Sequence, residues 1–137
     1  MIPRQLTGLV PSCGSASASY LFDPMSCEFV GLAGAADRWY SRCPDVAAEL
    51  LGDRPAVVLA LAARVDRTLC RYRGGLSLVY RDAGCLTATV GLVCAGLGLA
   101  CRPLARSTPS PAHELDTPTE WVDVGGIALG SDLGDTA

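Results

Sequence analysis

All eleven basic residues of this 137-residue chain are arginines. Without lysine the chain cannot form a Schiff base with a carbonyl substrate or with pyridoxal phosphate, and it has no lysine general base. The one histidine, His113, lies among prolines and serines and reads as a solvated loop residue rather than a catalytic or metal-binding one. Seven cysteines stand at positions 13, 27, 43, 70, 85, 94 and 101. No two form a CxxC pair and none cluster at zinc-ligand spacing, so no metal site is expected. Their odd number, and a start without a cationic-then-apolar leader, predict reduced and buried thiols in a cytoplasmic protein. The arginines offer anion binding: Arg64, Arg67, Arg71, Arg73 and Arg81 fall within eighteen residues, the first three at helical spacing. Such a run ordinarily makes a solvated basic edge, with phosphate binding as the alternative. A net charge of -3 and a pI near 5.0 argue against nucleic acid as the main partner, because phosphate backbones select cationic faces.

The elements that must position these residues follow from the hydrophobic pattern. Half of the residues are hydrophobic and 18% charged, with a mean hydropathy of +0.31. That is apolar for one small domain, so some apolar surface is expected to meet a partner or a membrane. YLFDPMSCEFVGL (20–32) reads as two strand pieces around a turn at Asp23-Pro24. Val46, Leu50 and Leu51 form one face of a short helix after Pro44. PAVVLALAA (55–63) has no polar face, as in a strand covered on both sides. From Ala83 to Cys101 nineteen residues carry no charge, with Asp82 placed to cap a helix over 83–100. Small residues at Ala83, Thr87, Gly91 and Ala95 recur four apart and would let a backbone or a flat ring approach. A helix apolar all round is either central in a core or spans a bilayer. The lack of an aromatic belt other than Tyr80 favours the core. Residues 105–120 read as a Ser/Thr/Pro-rich linker, WVDVGGIALG (121–130) as a short strand, and 131–137 as a polar tail.

Residues 71–104, RYRGGLSLVYRDAGCLTATVGLVCAGLGLACRPL, resemble the nitroreductase superfamily, and within it the SagB-type dehydrogenases that oxidise azolines in ribosomally made peptides. Arg71-Tyr72 falls where that branch has Lys-Tyr. Tyr80-Arg81 precedes Asp82-Ala83-Gly84-Cys85 in place of Asp-Ala-Gly-His, and Gly96-Leu97-Gly98-Leu99 precedes Cys101-Arg102-Pro103. More weakly, Pro11-Ser12-Cys13-Gly14 resembles a Pro-Ser-x-Gly loop that lies against the flavin, and Tyr20 to Pro24 a Tyr-x-Tyr-Asp-Pro turn. The arginine-rich FMN-phosphate motif and the carboxyl-terminal basic pair have no counterpart, so the match is to a C-terminal half of the family domain.

The resemblance implies a single α+β domain over 1–137: a small, mostly antiparallel sheet packed on one long central apolar helix (83–100). It also implies an FMN-dependent oxidoreductase, dimeric, acting on an azoline-containing peptide. Tyr72 would transfer a proton, with Arg71 beside it, although a guanidinium cannot act as the base a lysine could be. Ser12, Gly14, Cys101, Pro103 and Leu104 would hold the flavin, the last three through backbone contacts. Arg4, Arg71 and Arg73 are the cations available for its phosphate. The alternative is a cofactor-less subunit that pairs with a complete flavoenzyme or a peptide-modifying complex.

Overall fold

The computed structural model describes residues 6–9, 19–34, 42–52, 55–105 and 121–131, with the side chains of 6–9, 67 and 121 excepted. The elements are β1 (Leu6–Leu9), β2 (Tyr20–Asp23), β3 (Glu28–Gly31), α1 (Cys43–Leu51), β4 (Val57–Arg64), α2 (Asp66–Leu69), α3 (Gly75–Leu97), β5 (Ala100–Leu104) and β6 (Trp121–Gly130). The strands form one antiparallel sheet in the order β3-β2-β1-β4-β6-β5. The fold is therefore α+β with one long helix.

Strand β4 sits inside this sheet, between β1 and β6, and it alternates two buried sets. Val58 and Ala60 pack with Leu104 and Ala128 beneath Cys43 and Ala47 of α1. Ala63, followed by Val65, packs on the opposite side with Val79 of α3, Val122 and Val124. A strand whose two faces both meet helices has no use for polar residues.

Strand β6 keeps both faces filled by means of a bulge. Leu61 pairs with Gly125 and Ala62 with Asp123, so Val124 is the extra residue. Gly125 adopts φ +119, and its N–H donates to Asp123 Oδ1 at 2.9 Å. A Cβ at that glycine would lie 3.1 Å from the Leu104 carbonyl oxygen, so both the conformation and the space require glycine. Beyond the bulge the alternation flips. Val122 and Val124 face α3, and Asp123 falls on the side of α1.

The turn expected at Asp23-Pro24 joins β2 and β3. Asp23 Oδ1 accepts from the Met25 N–H at 2.8 Å and Oδ2 from Ser26 Oγ at 3.2 Å. Cys27 takes the left-handed conformation that closes the turn, at φ +57. Phe22 and Phe29 are directly opposite, with ring centroids 5.3 Å apart.

Four expectations are corrected. The long helix runs over 75–97 rather than 83–100, and Asp82 lies inside it. The N-cap is Gly74, in the left-handed conformation, and the Ser77 hydroxyl donates to the Gly74 carbonyl at 2.9 Å. Nor is this helix central, for it covers one side of the sheet and is itself uncovered over much of its surface. Pro44 lies inside the first turn of α1 rather than ahead of it, where its missing N–H costs nothing, and Leu50 turns outward. Arg64, Arg67 and Arg71 form no helical edge. Arg64 closes β4 and pairs with Asp66 at 3.2 Å, Arg67 lies in α2, and Arg71 follows it in a turn.

Ile127 has no exposed surface. Ile127→Ala is expected to lower stability by about 2–5 kcal/mol in urea unfolding, the range for emptying a packed site. A loss below about 1 kcal/mol would mean that this strand is not interior.

Candidate functional site

The residues expected to do chemistry divide between the two ends of α3. At its start, Arg71, Tyr72 and Arg73 occupy the turn between α2 and α3, all exposed, with Tyr72 at 55%. The turn is held by backbone bonds from Tyr72 N–H to Thr68 O at 3.0 Å and from Gly75 N–H to Tyr72 O at 3.1 Å. Gly75 is buried against Thr68, whose Cγ2 would lie 3.0 Å from any Cβ added there. Only glycine lets α2 and α3 approach this closely.

At the other end, α3 stops at Gly98, in the left-handed conformation, and the Leu99 N–H donates to the Cys94 carbonyl at 2.9 Å. That reversal delivers β5 as the outermost strand, where Pro103 interrupts no essential ladder. Leu104 is buried beneath α1, on the opposite side of the sheet from Cys101, so only its backbone is free to meet a ligand. Cys101 is half-buried and Pro103 exposed.

At about 1.5 Å per residue the helix climbs roughly 28 Å from Gly75 to Cys94. Tyr72 therefore stands far from Cys101, which lies by Cys94 at the other end of the helix, although β5 runs back from there toward Leu104. One chain does not bring Tyr72 and Cys101 together. Ser12, Gly14, Arg4, His113 and Cys13 lie outside the described residues.

The surface of α3 carries the other feature of the site. Val79, Ala83, Leu86, Val90, Val93 and Leu97 make one row at alternating four- and three-residue steps. Its first two members are buried against the sheet and the next two half-buried, yet Val93 and Leu97 are exposed, Leu97 at 68%. The row drifts off the covered face, for Cys94 beside it is still buried at this end. Leu92 (76% exposed) lies on another face, in line four residues apart with Leu76, Tyr80, Gly84 and Ala88, all exposed; Leu69 and Tyr72 are exposed ahead of the helix. Within that line Gly84 and Ala88 are small, and among the described residues nothing lies within 4 Å of a Cβ built at Gly84 or Gly91. By length and composition α3 could also cross a membrane.

Two thiol environments were not anticipated. Cys43 is buried and pushed up from 9.0 to about 12, first by burial and then by the Asp123 carboxylate, against a smaller lowering by a backbone hydrogen bond. The Gly125-Gly126 pair was the only signal in the sequence for the bulge that brings Asp123 there. Cys101 is raised by burial and by a side-chain hydrogen bond with Cys94. The thiols are not uniformly buried as expected, since Cys27, Cys70 and Cys85 are exposed. Among the described residues no three His, Cys, Asp or Glu side chains gather to hold a metal ion.

No protein-family model matches the chain, and no curated protein matches its sequence.

The Cys43 thiol makes a pH prediction. Unfolded, it ionises from 9.0 upward, whereas folded it keeps its proton to about 12. Its contribution is intact below pH 9.0 and is lost as the pH rises toward 12, by about 1.4 kcal/mol per unit. Urea unfolding at two alkaline pH values should show a steeper decline for the wild type than for Cys43→Ala. Parallel declines would contradict the assignment.

Proposed function

We propose that this chain is a nitroreductase-type, FMN-dependent oxidoreductase subunit whose site is completed only when a second copy packs along α3. Its substrate class would be the azoline rings of a ribosomally made peptide. The observation that carries the reading is an exposed stripe along α3, with Leu76 and Tyr80 at one end, Leu92 at the other and small residues between. A two-fold axis crossing the helix near its middle would run the two α3 helices antiparallel, laying Leu76 and Tyr80 of each chain on Leu92 of the other. The exposed Gly84 and Ala88 let the backbones approach at the crossing. The same operation brings Tyr72 of one copy toward Cys101 and Pro103 of its mate, closing the gap that separates them within one chain. Support also comes from the resemblance over 71–104, since those residues form one long helix and the strand after it.

In such an assembly the flavin would carry the hydride, and the protein would bind and orient it. Tyr72 would supply or accept a proton at the substrate carbon, with its hydroxyl reaching into the shared cleft. Arg71 would offer positive charge and hydrogen-bond donors without acting as a base.

A second reading, a cofactor-less subunit that completes another flavoenzyme, draws on the same exposed stripe and on the missing counterpart of the arginine-rich phosphate motif. Flavin titration separates the two. The first reading expects the purified chain to bind FMN as a two-chain species, with Tyr72→Phe preserving binding but slowing azoline oxidation by about 10²–10⁴-fold. A chain that pairs with itself yet leaves FMN free would sink the enzyme reading, and flavin binding restored by a complete flavoenzyme would favour the second.

A further inference from the structure

Cys94 and Cys101 lie seven residues apart on two different elements, yet they face each other. Cys94 sits in the last turn of α3 on its sheet-facing side and is buried. Gly98 reverses the chain, and the Leu99 N–H bonded to the Cys94 carbonyl fixes where the reversal begins. From there β5 runs back under the helix. Cys101 pairs with Leu129, and its side chain leaves the sheet on the side opposite Leu104, which packs under α1. It therefore points to α3, on whose buried side Cys94 lies, and burial and the neighbouring Cys94 both raise its pKa. Cys101 remains partly open to solvent while Cys94 is not. One thiol is reachable, and the second is held directly behind it.

We propose that Cys94 and Cys101 are a reversible dithiol–disulfide pair, oxidised by low-molecular-weight disulfides, that staples the end of α3 to β5. The reaction proceeds by two exchanges. The Cys101 thiolate attacks one sulfur of the small disulfide, forming a mixed disulfide and releasing one small thiolate, which takes up a proton. The Cys94 sulfur, having given up its proton, then attacks Cys101 Sγ, breaking the mixed disulfide and releasing the second small thiol. The protein loses two hydrogens and two electrons, and the small disulfide gains both. The short loop and the left-handed cap tether the two elements, which keeps the partners close for the second exchange. Oxidation would stiffen the uncovered end of α3, where Leu92, Val93 and Leu97 are exposed. The inference stands on this geometry and does not rest on the oxidoreductase reading.

The test uses the reduced full-length protein and oxidised glutathione, followed by acid quench, alkylation and peptide mass mapping. The exposed Cys27, Cys70 and Cys85 serve as internal controls for reagent access. In the wild type, Cys94 and Cys101 should both escape alkylation, carry no glutathione, and appear as one linked pair two hydrogens lighter. In Cys94→Ala, or in Cys94→Ser should the alanine variant not fold, Cys101 should retain glutathione as a stable adduct. The proposal is overturned if wild-type Cys101 keeps glutathione, if it links to Cys85 instead, or if both thiols are still alkylated after the exposed cysteines have reacted.

Discussion

Residues 57–63 of β4 contain no polar side chain, and much of the fold can be understood as the cover that this run requires. Such a strand gains nothing from water on either face, so it needs hydrogen-bonded neighbours on both edges and packed side chains above and below. β1 and β6 provide the edges. Helix α1 covers one face through Cys43 and Ala47, and α3 covers the other through Val79. The bulge at Val124 belongs to the same arrangement. A regular β6 would carry Val122 and Val124 onto the α1 face, out of phase with Ile127, whereas one extra residue turns both toward α3 and sends Asp123 to the α1 side.

The cover on the α3 side is incomplete: the apolar row begins over the sheet at Val79 and Ala83 and drifts off the covered face to Val93 and Leu97, which stay exposed among the described residues while Cys94 beside them is buried. Exposed apolar surface of this kind marks an interaction with a protein or a membrane. The excess of hydrophobic residues in the composition is thus concentrated in one element. The separation of Tyr72 from Cys101 follows from the same length. A helix of 23 residues cannot have both ends in one small cleft. In the proposed assembly a second chain, running the other way, would remove both difficulties together.

Much of the fold was legible where one force dominated. The unbroken run in β4, the Asp-Pro turn between β2 and β3 and the apolar β6 strand each declare themselves by pattern alone. The start of α3 was not, because Arg81-Asp82 looked like a boundary. Those two residues fall where the helix is exposed or half-exposed, so their charges are tolerated in mid-helix, and the true cap is a glycine with no polar side chain to advertise it. That error of a few turns concealed the distance between the expected site residues. The placement of Cys94 opposite Cys101, and of Asp123 on the Cys43 side of the sheet, was hidden for a related reason: each depends on a single glycine, Gly98 or Gly125, whose positive φ redirects the chain.

Sedimentation velocity across a concentration series, comparing the wild type with Leu92→Arg/Val93→Arg, tests the central claim most directly. The account predicts a wild type that sediments as a two-chain species and a double variant that is folded but sediments as one chain. A wild type that stays a single, well-behaved chain at high concentration, with α3 bare to water, would contradict it.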